Sequence, residues 1–383
     1  MLINMNVGGT EKALLNMISE IPKAEYDITI LMLEKYGGFL DSIPSYVKVE
    51  YVKEYSELKE VINQPPKKVG ISFIKKGKIF RGTVFLFVYL LSKLLNNKSI
   101  FFKYILKDVS EVKQEYDIAV AYAGPMDFIS YFVIHKIKAK KKYQWIHFDV
   151  TKIGLDVKFA ANLYRNFDKI LVVSNEAKRK LVGLVPIVEE KSEVFLNMVS
   201  PKVIQRQSNE GIGFNDNFNG VRILTVGRLA IEKGQDLAIL ALARLVQEGY
   251  NVKWYCVGEG NARMEYERLI EEYDLQDKFI LLGSDPNPYT YLKECDIYVQ
   301  PSRYEGYCIS LIEAKCLNKP IITTDVNGAK EQIINGETGF IVDIDEREIF
   351  GSLMKLLQSP RLCQEFRDNL SNEEINTVKL VGI

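Results

Sequence analysis

Two carboxylates eight residues apart, Glu305 and Glu313, bracket the stretch EGYCISLIE. A short apolar run, Ile297 to Val299, and the loop Gln300 to Tyr304 precede it, and it opens a helical pattern that ends near Leu317. The amino end of a helix placed directly after a strand offers unpaired N–H groups and the positive end of a dipole. Gly306, Tyr307 and Cys308 therefore form a candidate phosphate seat, with Gly306 allowing close approach to the backbone. At a rise of about 1.5 Å per residue the two carboxylates stand about 12 Å apart, a spacing that suits hydroxyls on opposite sides of a diphosphate. The structural alternative is a first-turn carboxylate and a solvated helix face. A second cluster follows the apolar run Val221 to Val226, where Gly227, Arg228 and Lys233 supply a fork of donors and a point charge for a diphosphate whose charge grows as it leaves. Lys233 opens a helix, where its charge opposes the dipole, and a bound anion would relieve that. Gly8, Gly9 and Thr10 open the first helix in the same way.

The elements that must hold these residues read as alternating strands and helices. In the first half the strand patterns are Tyr26 to Leu33, Tyr116 to Ala123, Tyr143 to Phe148 and Lys169 to Ser174, with helical patterns Glu11 to Ile21, Asp127 to Ile137 and Glu176 to Val182. The alternation breaks at 201–220, a polar, Asn/Gly-rich stretch that we read as a linker, and resumes from 221 with Val252 to Val257, Phe279 to Gly283 and Ile321 to Thr324 as further strands. Such alternation predicts parallel sheets covered on both faces, an α/β chain of two doubly wound Rossmann-like domains facing across a cleft: 1–200, carrying an insert at 61–107, and 221–383. His147 closes one strand, where a lone histidine more often serves structure than chemistry. Val257-Gly258-Glu259-Gly260 begins like a dinucleotide fingerprint, but Arg263 stands at its third glycine position, which disfavours a dehydrogenase.

The stretch QPSRYEGYCISLIEAKCLNKPIITTDVNGAKEQIINGETGFIV resembles the E-x7-E signature region of glycosyltransferase family 4, of the bacterial surface-polysaccharide type. GRLAIEKG at 227–234 resembles that family's G-R-L-x-x-x-K-G loop, and NVGGTEK at 6–12 its amino-terminal glycine loop, although only Leu2 to Asn4 precede the latter as a first strand. The resemblance implies a GT-B fold and retaining transfer of a sugar from a nucleotide sugar, a UDP-sugar on this reading, to a hydroxyl. It implies that Glu305 contacts the sugar, that Glu313 binds the ribose, and that Arg228 and Lys233 hold the diphosphate. Gly258 and Ser284 fall on loops flanking the donor, His147 beside the transferred sugar, and Gly8, Gly9 and Thr10 on the loop toward donor and acceptor. Asp149, Ser174 and Asn197 match family positions that caps or turns would equally explain. Metal-independent transfer is expected, with Arg228, Lys233 and the helix terminus at Tyr307 neutralising the diphosphate and no cofactor beyond the donor. A nucleotide-sugar 2-epimerase and an inactive sugar-nucleotide-binding subunit of a polysaccharide complex are the competing readings.

With 383 residues, 47% hydrophobic and 26% charged, the composition is that of an ordinary two-domain enzyme. Five cysteines without a C-x-x-C pair and two histidines speak against a disulfide scaffold or a zinc site and for a reducing compartment. No signal peptide or spanning segment is evident. The net charge of zero hides an asymmetry: residues 1–200 carry 30 basic and 22 acidic side chains, and 201–383 carry 20 and 28. Within 61–107 lie ten basic residues, no acidic one and eight Phe or Tyr, a pattern that, with the run Lys136 to Lys142, fits an anionic membrane surface. The expected partners are thus a nucleotide sugar, a glycan or polyprenyl-diphosphate-linked acceptor, and that membrane, with no nucleic acid. The expected place is the cytoplasm, peripheral at the inner face of the plasma membrane, in capsule or exopolysaccharide synthesis.

Overall fold

Every strand pairing within the named sheets is parallel in the computed structural model, which describes residues 1–124 and 126–373. The chain forms two units, neither contiguous: Met1–Met5, Glu25–Val172 and Lys178–Val194 make the first, and Asn6–Ala24, Val173–Ala177 and Phe195–Ile383 the second.

The first unit contains β1 (Thr29–Met32), β2 (Lys48–Tyr51), β3 (Val112–Gly124), β4 (Ile137–Ile146), β5 (Lys169–Val172) and β6 (Ser192–Val194). β1 pairs with β2, and the others run in the order β3-β4-β5-β6. The first residues join the two groups, since Leu2 bridges Met32 and the Met1 carbonyl accepts from Tyr122 N–H. A very short opening segment therefore fills the place of a central strand. The insert forms three helices, Pro66–Lys75, Ile79–Leu94 and Lys98–Ile105.

The structure differs from the sequence expectation at Lys136 to Lys142. This run is not a free basic face: most of it is β4, and β5 pairs only from Tyr143 onward, so the Lys138–Lys142 part lies on a two-stranded ribbon with β3. There Lys140 is paired with Asp117 at 2.7 Å, and Lys136 and Lys142 donate to the carbonyls of Val109 and Ile134.

The second unit is built on β7 (Val221–Val226), β8 (Val252–Val257), β9 (Phe279–Gly283), β10 (Ile297–Gln300), β11 (Ile321–Thr324) and β12 (Phe340–Val342), in the order β12-β11-β10-β7-β8-β9. Its side chains alternate between two cores, as period two requires. Ile223, Trp254, Cys256, Ile297 and Val299 enter one core with the helices Gln235–Gln247 and Glu346–Gln358; Leu224, Tyr255, Val257 and Tyr298 enter the other. The second core is covered by the helices Ile309–Cys316 and Tyr289–Glu294 and by Ala13 of the helix Gly9–Glu20. Residues 201–220 include a helix, Pro201–Gln207, whose Ile204 joins this core.

Candidate functional site

Chain order reverses between β7 and β10, the neighbouring strands at the middle of the second unit's sheet. In a doubly wound sheet such a switch point opens a crevice at the carboxyl ends of the strands, because the loops on either side run to opposite faces. The loops that leave these two strands are 227–234 and 301–308, and they carry Arg228, Lys233, Glu305 and Gly306. The topology thus brings together residues 72 apart in sequence.

Lys233 Nζ donates to both oxygens of Glu305, each at 2.7 Å. Glu305 is 8% exposed and also accepts from Ser302 Oγ at 2.6 Å and Gln300 Nε2 at 3.4 Å. Burial works against the Lys233 charge, but the Glu305 carboxylate holds the ammonium above its ordinary value. The Lys233 charge at the head of Gln235–Gln247 is therefore answered inside the protein, so its opposition to the helix dipole does not by itself call for a bound anion. Arg228 is half exposed and ion-paired with Glu232.

Backbone contacts fix these loops. Arg303 bonds the Ile231 carbonyl at 2.8 Å and pairs with Asp236, tying loop 301–308 to loop 227–234. Leu229 N–H donates to the Glu259 carbonyl at 3.1 Å, and Gly258 N–H to the Gly283 carbonyl at 2.7 Å. Gly258 has φ +152°, and a Cβ there would lie 2.0 Å from the Gly227 carbonyl oxygen, so only glycine fits. Ser284, beside this lacing, is exposed.

The helix Ile309–Cys316 is N-capped by Cys308 without any side-chain bond, so its first N–H groups have no cap oxygen. The Cys308 thiol is 4% exposed and burial pushes it up to about 12, which leaves the sulfur neutral and its backbone as the useful part. Tyr307 is half-buried, its ring against Gly328. Glu313 is not on a solvated face: it is 2% exposed, paired with Lys12 Nζ at 2.7 Å and accepting from Tyr289 Oη at 3.0 Å.

Gly8 N-caps Gly9–Glu20, with Gly9 and Thr10 in its first turn, and Gly9 lies against Ile309. Glu11, three residues after the cap, folds back on Gly8 as in half of a capping box. Burial pushes Glu11 up to about 7, against the pull of its own N–H and the Arg228 charge. Ser174 caps the helix Asn175–Leu184 by accepting from Ala177 N–H at 3.0 Å, so the cap reading holds there, and its hydroxyl also reaches the Gly306 carbonyl at 3.5 Å.

In the first unit His147 follows β4 and is 7% exposed, stacked on Trp145 at 5.6 Å and tilted over Tyr122 at 4.5 Å. Neither ring nitrogen makes a well-formed hydrogen bond. Burial lowers its pKa to about 3, only weakly opposed by the Tyr122 backbone, so the imidazole is neutral. Asp149 is committed to Thr151 and Lys180 at 2.6 and 2.9 Å.

Sequence reasoning missed Lys12, Tyr289, Gln300 and Ser302. Lys12 is the last residue of the NVGGTEK loop, and Gln300 and Ser302 lie between strand and first glutamate, but nothing in the sequence joins Lys12 or Tyr289 to Glu313.

Residues 214–373 match the family model "Glycosyl transferases group 1". Among curated proteins, the Campylobacter jejuni N-acetylgalactosamine-N,N'-diacetylbacillosaminyl-diphospho-undecaprenol 4-alpha-N-acetylgalactosaminyltransferase is 33% identical over 54% of this chain and 55% of its own length. Staphylococcus aureus CapM, a capsular polysaccharide biosynthesis glycosyltransferase, is 34% identical over 40% of each chain. The chain thus spans about half the length of the curated relatives it matches. Two solved structures share the fold across nearly the whole chain. Anabaena HepE with UDP and glucose has a TM-score of 0.66 at 18% identity, covering 96% of this chain and 92% of that one. Staphylococcus aureus TarM with fondaparinux, alpha-GlcNAc-glycerol and UDP has 0.67 at 16%, covering 97% and 96%. The fold is GT-B, with two Rossmann-like units.

Proposed function

We propose that this chain, whose residues 214–373 belong to the glycosyl transferases group 1, moves a sugar from a nucleotide-sugar donor, a UDP-sugar, to a glycan or lipid-linked hydroxyl in cell-surface polysaccharide synthesis. The observation that carries this reading is the Lys233–Glu305 pair at the switch point, beside an uncapped helix terminus. A sugar diphosphate needs positive charge around the phosphates and a carboxylate for the sugar hydroxyls, and these loops hold both. On donor binding Lys233 and Arg228 turn from Glu305 and Glu232 toward the diphosphate, and the N–H groups after Cys308 receive its β-phosphate. Glu305 then grips the sugar hydroxyls and Glu313 the ribose. Loops 258–260 and 283–284 flank the base.

Transfer goes with retention. The bond from the anomeric carbon to the phosphate oxygen breaks, the acceptor oxygen bonds to the same face of that carbon, and the acceptor proton passes to the departing phosphate oxygen. Lys233, Arg228 and the helix dipole stabilise the leaving group without a metal ion.

Two observations support an acceptor presented at a membrane. The Campylobacter jejuni relative is named for a diphospho-undecaprenol substrate. The helix Ile79–Leu94 carries Phe80, Phe87, Leu90 and Leu94 on one face, 82%, 64%, 50% and 83% exposed, with exposed Lys75, Lys78, Arg81 and Lys93 nearby. No helix among the described residues is long and apolar enough to cross a membrane, so this face rests on the anionic inner leaflet as a peripheral contact.

A thermal-shift screen with UDP-, GDP- and ADP-sugars, followed by product analysis with labelled donor and acceptor, tests the proposal. UDP-sugars are expected to stabilise the protein and yield an α-linked product with or without EDTA. A nucleotide-linked isomer with no acceptor product would instead establish an epimerase, and inactivity with every donor a binding subunit.

A further inference from the structure

Glu313 reaches almost no solvent, yet it carries a carboxylate in the middle of an apolar helix whose neighbours Ile312 and Ala314 are core residues. A carboxylate so placed needs a cation and hydrogen-bond donors to stay charged and oriented. Both come from outside its own helix. Lys12 Nζ lies 2.7 Å from Oε1, and Tyr289 Oη donates to the same oxygen at 3.0 Å. The two donors also brace each other, with the Lys12 ammonium 4.2 Å above the Tyr289 ring, a cation–π contact.

Lys12 is itself held rigidly. Its helix, Gly9–Glu20, packs Ala13 into the second core, sets Gly9 against Ile309, and is tied at its far end by Asn16 Nδ2 donating to the Met198 carbonyl at 2.9 Å. Tyr289, at 3% exposed, is fixed in the same core. Both donors meet at Oε1, so the carboxylate is held in one orientation, as recognition of a ribose's hydroxyls requires.

We propose that Lys12, with Tyr289, is a positioning residue for recognition of the donor's ribose, acting through Glu313 without touching the donor. The inference rests on the reading of Glu313 as the ribose-binding carboxylate. A cation near the amino terminus of the chain thereby sets nucleotide affinity at a site whose proposed phosphate, ribose and base contacts lie beyond residue 220. Lys12 should act on the hydroxyls specifically, because the phosphates and the base meet other groups.

The test compares UDP with 2′,3′-dideoxy-UDP by calorimetric titration of the full chain. A hydrogen bond to a charged group is worth about tenfold or more in affinity, so wild type should prefer UDP by at least that factor. Lys12→Met should bring the two affinities within about threefold of each other, chiefly by weakening UDP. Lys12→Arg, which keeps the charge, should restore most of the preference, and Tyr289→Phe should lower it partially. With a UDP-sugar as substrate, Lys12→Met should raise KM while kcat stays within about threefold. Should Lys12→Met fail to fold, Lys12→Gln must give the same loss of discrimination. Equal weakening of both nucleotides, or an unchanged ratio, in a folded Lys12 variant overturns the inference and leaves the donor site standing. A wild type that binds UDP and dideoxy-UDP alike overturns the assignment of Glu313, and one that binds no nucleotide overturns the donor site itself.

Discussion

Lys233 and Glu305 are poised because each neutralises the other in a place where neither could stay charged alone. Removing one partner leaves an uncompensated charge, whereas removing both leaves none. Lys233→Met should therefore cost about 3 kcal/mol in urea unfolding, and Lys233→Met combined with Glu305→Gln less than the lysine change alone. In turnover the double variant should show no such recovery, since each group has its own work on the donor, and either single change should slow transfer by about a hundredfold. Recovery of activity in the double variant would mean that the pair is structural. His147 answers to pH instead. Its folded pKa of about 3 lies below the ordinary 6.5, so the unfolded chain takes up a proton first. The stability of the neutral form is complete above pH 6.5 and is lost as pH falls toward 3. Between pH 6.5 and 5 wild type should lose about 2 kcal/mol more than His147→Asn, as read from urea midpoints at both pH values.

At the scale of elements, the helix Ile79–Leu94 makes the sharpest prediction. Exposed side chains contribute little to folding, so Phe87→Gln with Leu94→Gln should change stability by less than about 0.5 kcal/mol. The same pair should cut sedimentation with anionic vesicles at low salt by at least about tenfold, since each apolar side chain lost from the membrane is worth about 2 kcal/mol. Glutamate at Lys75, Lys78 and Arg81 should weaken binding further and flatten its salt dependence. A wild type that ignores such vesicles ends the membrane reading. The sequence disclosed the composition of this segment but not its face: Phe85 and Phe87 read alike until packing buries one, at 2% exposed, and leaves the other out. The second unit was far more legible. Val221–Val226, Val252–Val257, Phe279–Gly283 and Ile321–Thr324 form strands at the expected boundaries, because apolar runs bounded by Gly, Pro and charges admit little else. β2, β6 and β12 were missed, being four, three and three residues long with too little alternation to show a period.

Across the whole molecule, what sequence could not reveal was membership. Residues 6–24 were read as part of the first domain, since they lead into it along the chain, yet by contacts they belong with the second unit. Nothing local in NVGGTEKALLNM says that Ala13 will join a core with Val199 and Ile309 or that Lys12 will meet Glu313; only the assembled sheet and its covering helices decide this. That placement has a consequence measurable on the intact protein. A bound nucleotide at a hundredfold excess over its Kd stabilises the native state by about 2.7 kcal/mol, and local protection should rise where its contacts are. In amide hydrogen exchange with UDP, slowing is expected in two stretches far apart in sequence: the helix Gly9–Glu20, and the loops 227–234 and 301–308 with the head of Ile309–Cys316. The helix Ile79–Leu94 should be unaffected by UDP and slowed by anionic vesicles. Protection confined to the loops, with Gly9–Glu20 exchanging as before, would show that the first helix merely packs on the second unit and takes no part in holding the donor.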